Sequence, residues 1–149
     1  MQLTQYSDYA LRTLIYLAIA TENATITEIA EQYNISRNHL VKVVHNLGKL
    51  GYVTTIRGRH GGLRLALPPE AINIGDVVRR TEPNFTIVEC FDRESSRCVI
   101  APSCRLKRVL NEAFHAFTDV LDQYTLADMT ANGEELRKLL GVAAVPSRR

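Results

Sequence analysis

Acidic residues are missing from the middle of this chain. Between Glu31 and Glu70 there is no aspartate or glutamate, while Arg37, Lys42, Lys49, Arg57, Arg59 and Arg64 all fall inside that window. Those six leave 12 Lys and Arg against 16 Asp and Glu elsewhere, so the formal net charge of +2 conceals a basic centre and an acidic remainder. A stretch of one sign suits a phosphate-lined partner, because each neutralised phosphate releases counterions. It equally suits a solvated basic face, so charge alone does not decide. Cysteine is absent outside "ECFDRESSRCVIAPSC", where Cys90, Cys98 and Cys104 are the only three. An odd count excludes a closed disulfide framework, and gaps of seven and five residues match no common zinc pattern.

Long apolar runs are lacking too. Leu11 to Ala20 is the most apolar stretch, but it contains Arg12 and is too short to cross a bilayer. Asp8 stands in front of it where a secretory signal carries basic residues. These absences point to a cytoplasmic protein with no membrane partner, in which thiols stay reduced. There are no internal repeats, no phosphate-binding glycine loop and no recognisable nucleophile–base pair, so no catalytic residue is assigned and an enzyme is disfavoured. What remains is ample for a core: 46% apolar and 23% charged residues over 149 positions, with five prolines, describe one folded domain with or without an appendage.

Spacing then places the elements. Leu11, Leu14, Ile15, Ala18 and Ile19 follow a helical period, with Thr4 or Ser7 available as N-cap. Thr25 and Glu28 form a capping-box pair opening a short helix to about Tyr33. After a turn at Asn34 and Ile35, Ser36 starts a helix that buries Leu40, Val43, Leu47 and Leu50 and ends at Gly51. Tyr52 to Arg57 and Leu63 to Leu67 read as strands joined by Gly58-Arg59-His60-Gly61-Gly62. Three helices followed by a basic hairpin predict a mainly α fold with a small β-hairpin wing: a winged helix-turn-helix. Ile72 to Arg80 predicts another helix, stopped by Pro83. Ser103 is expected to cap a long helix whose Leu106, Leu110, Ala113, Phe117, Val120 and Tyr124 form a heptad-like seam. Such a seam suits pairing with a second copy as a homodimer, or packing along the chain's own first helix. Residues 1–83 are thus expected to form the DNA-binding domain, 84–104 a cysteine-bearing loop, 104–131 a dimerisation helix region and 132–149 a C-terminal tail, with Val145 to Arg149 frayed.

Two constellations carry chemistry. Ser36, Arg37, Asn38 and His39 place hydrogen-bonding groups in the first turn of the third helix, with Lys42 further along its outer side. Arginine suits guanine and asparagine suits adenine, each by paired contacts in the major groove of double-stranded DNA. Arg57, Arg59, His60, Gly61 and Arg64 on the hairpin are expected at the backbone or minor groove. The cysteines allow four roles. Buried structural thiols fit poorly with the charged residues around them. A thiol redox switch draws on Cys104 at a helix start, where thiolate is favoured. Zinc usually recruits closely spaced pairs. An iron–sulfur cluster tolerates irregular spacing and an unusual last ligand, and fits best. Without that cluster, the chain reads as a zinc- or thiol-dependent DNA-binding regulator. An iron–sulfur carrier would have no use for the basic hairpin.

Taken together, "LTQYSDYALRTLIYLA", "ISRNHLVKVVHNLGKLGYVTTIRGRHGGLRL" and three cysteines before a long helix resemble the Rrf-type winged-helix regulators over about residues 1–124. "IGDVVRRTEP" and "YTLADM" make the chain most similar to the nitric-oxide-sensing repressors of that family. The branch concerned with iron–sulfur assembly places a ligand histidine three residues after the third cysteine; here that residue is Lys107. The resemblance implies a homodimeric repressor whose Cys90, Cys98 and Cys104 hold an iron–sulfur cluster, 4Fe–4S being favoured over 2Fe–2S. It further implies a palindromic operator that is bound with the cluster intact and released when nitric oxide nitrosylates the iron, so that genes for nitric oxide detoxification are expressed. It also points to Asp8, the acid of "YSDYALR", as a fourth ligand supplied across the dimer; the plainer alternative is a charge favouring its helix N-terminus.

Overall fold

The computed structural model describes residues 2–92, 94 and 96–143. Helix α1 (Gln5–Ile19) starts at Thr4, whose side chain accepts from the Ser7 N–H at 3.2 Å. It runs through the centre of the fold, touching four other helices and the hairpin. Ala10, Leu14 and Ile19 are fully buried along it, and Thr13 joins them because its hydroxyl donates to the Tyr9 carbonyl at 2.7 Å. Helix α2 (Ile26–Tyr33) opens on the expected Thr25/Glu28 capping box and closes on Asn34, whose φ of 51° is the left-handed conformation asparagine tolerates.

Helix α3 (Arg37–Lys49) buries Leu40, Val43, Val44 and Leu47 against α1 and α2. Each leucine so removed from water contributes about 1.5–3 kcal/mol, which fixes the outer face of α3 by default. Gly51, at φ 82°, turns the chain into β1 (Val53–Ile56), which pairs antiparallel with β2 (Gly62–Leu65) from Val53↔Leu65 to Ile56↔Gly62. The strands are one to two residues shorter than the sequence suggests. A further rung joins Leu63 to Ala24, with N···O distances of 2.7 and 3.0 Å, so the wing is stitched to the α1–α2 turn.

Helix α4 (Ile74–Thr81) is capped by Asn73 and stops before Pro83. Helix α5 (Arg105–Asp122) is the long one, but its N-cap is Cys104 rather than Ser103: the Lys107 N–H points at Cys104 Sγ, 3.3 Å away. Thr125 and Asp128 box the start of the short α6 (Leu126–Met129). Residues expected as a tail from 132 onward contain a helix, α7 (Gly133–Leu139). Arg137 Nε donates to the Ile19 carbonyl at 2.9 Å and Leu140 is buried, so this segment closes the C-terminal end of α1. Val145 to Arg149 lie outside the described residues.

Candidate DNA interface and sensor loop

The outer side of α3 carries Arg37, Asn38, His39, Val41, Lys42 and His45, all exposed. Ser36 stands at the N-cap but makes no side-chain cap bond, leaving its hydroxyl on the same surface. Arg37 is steered rather than free: its Nε donates to Thr27 Oγ1 on α2 at 3.3 Å, and neither Nη takes part. An arginine held through Nε still presents the flat pair of Nη groups that matches a guanine edge. Thr27, the second residue of α2, thus holds Arg37 at its Nε, a contact that the motif reading overlooked and that has no signal in the sequence.

The wing carries Arg57, Arg59, His60 and Arg64, also exposed. Its tip is shaped by Gly61, where a Cβ would sit 2.3 Å from the Ile56 carbonyl oxygen and 2.9 Å from that of Gly58. Asn23 Nδ2 donates to the His60 carbonyl at 2.9 Å and fixes the tip from the α1–α2 turn. Among the described residues every ion pair involves Arg12, Arg79 or Arg80; Arg37, Lys42, Arg57, Arg59 and Arg64 have no acidic partner. Among the described residues, α3 and the wing thus carry five exposed cations without an acidic partner.

The cysteines sit on a loop between α4 and α5. Cys90 lies in a helical turn (Glu89–Phe91), Cys98 outside any regular element and Cys104 at the α5 N-cap; all three thiols are free and half-buried. Glu89 accepts from the Arg97 N–H at 2.6 Å, and Ser96 N–H bonds the Asp92 carbonyl at 3.1 Å, folding the loop back on itself. Ser96 Oγ is buried with no hydrogen-bond partner. Among the described residues no three His, Cys, Asp or Glu side chains stand close enough to hold a metal ion, so the chain by itself does not gather Cys90, Cys98, Cys104 and Asp8. Asp8 lies in the first turn of α1, where Arg12 grips it from one turn away: Nε to Oδ1 is 3.0 Å and Nη2 to Oδ2 is 2.9 Å.

Helix α5 has two apolar sides, and the seam read from spacing mixes them. Phe117 turns toward its own chain, where it and Phe114 line a cleft of about 500 Å³ with Leu3, Pro83 and Phe85. The Phe85 and Phe114 rings pack 5.1 Å apart, and Leu110 is half-buried. The stripe left to solvent is instead Leu106, Val109, Ala113, Val120 and Tyr124, with Leu106 63%, Val109 58% and Val120 52% exposed. Aliphatic side chains this open at helical spacing form a surface suited to a partner. No described helix is long and apolar enough to cross a membrane.

Comparison with known proteins agrees with the arrangement. Residues 3–132 match the Rrf2 family, described as an iron-dependent transcriptional regulator. The HTH-type transcriptional regulator NsrR of Bacillus subtilis is 58% identical over 94% of this chain and 97% of that protein. Its namesake in Bacillus licheniformis is 56% identical over 94% of this chain and 99% of its own length. Among solved structures, the global cysteine regulator CymR of B. subtilis superposes with a TM-score of 0.73 at 28% identity, covering 89% of this chain and 98% of that one. T. potens IscR gives 0.72 at 27% identity, over 92% and 91% of the two chains.

Proposed function

The chain belongs to the Rrf2 family of winged-helix transcriptional regulators, and from that premise we propose that it is a cytoplasmic, homodimeric repressor whose hold on operator DNA depends on an iron–sulfur cluster and is lost to nitric oxide. The observation that carries the DNA half is the set of five exposed cations on α3 and the wing that have no acidic partner among the described residues. Nitric oxide as the signal follows from the resemblance to the nitric-oxide-sensing repressors and the similarity to relatives named NsrR.

The residues present suit such a cluster. Three free thiols share one loop; a backbone N–H already points at the Cys104 sulfur, as a thiolate prefers; and the Ser96 hydroxyl is buried without a partner. Cys90, Cys98 and Cys104 would fill three corners of a 4Fe–4S cluster and Asp8 of the partner subunit the fourth. When bound, the cluster supplies the iron that nitric oxide attacks. Asp8, held by Arg12 in the free chain, would give up part of that grip to serve as a ligand, so that the first turn of α1 would be held differently with the cluster bound. A carboxylate is a harder and weaker ligand for cluster iron than a thiolate, which leaves that corner open to nitric oxide. Because α1 touches α3 and α4, a change at its start is felt at the reading helix.

Readout divides by element. Ser36, Arg37, Asn38, His39 and Lys42 face base edges and flanking phosphates in the major groove. Arg57, Arg59, His60, Gly61 and Arg64 engage the backbone or minor groove. Against a duplex selected from a random pool, Arg37→Ala is expected to lose about 1–3 kcal/mol of discrimination over a scrambled duplex. Arg59→Ala should weaken both duplexes alike and flatten the salt dependence by roughly one phosphate contact. An Arg37→Ala protein that weakens equally on both makes Arg37 an anchor instead of a reader. A protein that selects no duplex at all removes the function.

A further inference from the structure

Helix α4 is pinned on two sides by contact sets that share no side chain. On one side the Tyr52 hydroxyl donates to Asp76 Oδ2, and Arg80 Nε lies 3.3 Å from the same oxygen. The Arg80 guanidinium also sits 5.7 Å from the centre of the Tyr52 ring, and its Nη1 reaches the Leu50 carbonyl at 3.4 Å. Tyr52 is buried at the joint between α3 and the wing: its N–H bonds the Leu47 carbonyl at 3.0 Å, and its carbonyl accepts from Ala66 at 2.9 Å.

On the other side α4 grips the end of α5. Arg79 Nη1 lies 2.7 and 3.0 Å from the two oxygens of Asp122, and Asn73 Nδ2 donates to the Asp122 carbonyl at 2.8 Å. Ile74 N–H bonds the Tyr124 carbonyl at 3.0 Å. Contact is so close that a Cβ at Gly75 would stand 1.9 Å from Asp122 Oδ1 and would push that carboxylate aside. Between these two grips Val77 and Val78 are both buried. Arg79 and Asp122 are each about two-fifths exposed. A pair this wet contributes little to stability, so its worth lies in where it holds the helix.

We propose that Asp122 and Tyr52 are positioning residues for operator recognition: α5 places α4 through Asp122, and α4 places α3 and the wing through Asp76 and Tyr52. Neither belongs to the DNA-facing set named above. This linkage rests on the DNA-binding function just proposed, and its test separates the two. The full-length, cluster-loaded protein is titrated with a duplex that the unmodified protein selects from a random pool, and with a scrambled duplex of equal length. Asp122→Asn keeps the shape and removes the charge. It is expected to lose about fivefold or more on the selected duplex and nothing on the scrambled one, with an unchanged salt slope. The loss should not add to that of Tyr52→Phe, although the two side chains have different partners. No loss, equal loss on both duplexes, or fully additive losses overturn the proposal. A second measurement needs no DNA: in the free protein, Asp122→Asn should speed hydrogen exchange at the amides of Tyr52 and Ala66. Unchanged exchange there also overturns it. If the pool yields no duplex, the DNA-binding reading fails and the exchange measurement decides the linkage on its own.

Discussion

A Cys98→Ala protein, purified without oxygen, is expected to be colourless, to carry almost no iron and to release the selected duplex. Cys90, Cys98 and Cys104 are the only thiols in the chain, so no neighbouring cysteine can take over. With the proposed carboxylate as fourth ligand, two remaining thiolates would not keep the cluster, since carboxylates hold soft iron weakly. The fold itself should survive, because Cys98 lies in a loop outside the core. Retained secondary structure by circular dichroism therefore separates loss of the cluster from loss of the protein. Asp8→Ala makes the graded comparison: its cluster should form but fade quickly, because only the weakest corner is gone. A Cys98→Ala protein with undiminished visible absorbance and iron sinks the ligand assignment.

Charging the open side of α5 is the second large effect. Val109→Asp together with Val120→Asp should convert the dimer into a 16.7-kDa monomer by sedimentation. Burying two unpaired carboxylates between apolar helices costs several kcal/mol, and the same changes on a wet helix cost little. The monomer should keep its far-ultraviolet spectrum yet bind the selected duplex far more weakly, since two heads tethered together reach two half-sites at high effective concentration. Leu110 and Phe117 are the wrong positions for this test. Phe117 lines the cleft within its own chain, so a charge there damages the protomer as well as the pairing. If the Val109/Val120 double variant remains a tight dimer, the interface lies elsewhere.

Which residues made the fold legible follows from how local their signals are. Thr25 with Glu28 and Gly51 after α3 are a cap and a turn written within a few residues, and both lie where spacing put them, whereas α4 starts two residues later than the expected Ile72 because Asn73 caps it. The exposed side of α3 is the complement of its buried leucines and valines, so the pattern gave that side too. Three things were not written locally. Cys104 displaces Ser103 as the cap of α5, because sulfur accepts a backbone N–H although cysteine is not among the usual capping residues. The period of α5 shows that it is amphipathic but not which of its two apolar sides meets its own chain; that depends on Phe85, far away in sequence. Arg137 reaching back to Ile19, Asn23 holding the wing tip and Thr27 holding Arg37 are long-range or single contacts with no periodic trace. Asp8 is intermediate: Arg12 four residues on marks it as a helix-surface pair, and its proposed role as a ligand would draw on a second subunit.

The account stands most directly on one anaerobic titration, in which visible absorbance and binding of the selected duplex are followed in the same sample as nitric oxide is added. The prediction is that both signals fall together and end at the same ratio of nitric oxide to cluster, with the protein still dimeric and folded. Bleaching of the absorbance while the duplex stays bound, or equal binding by protein that never held a cluster, contradicts the claim that the cluster on Cys90, Cys98 and Cys104 controls the DNA-binding face.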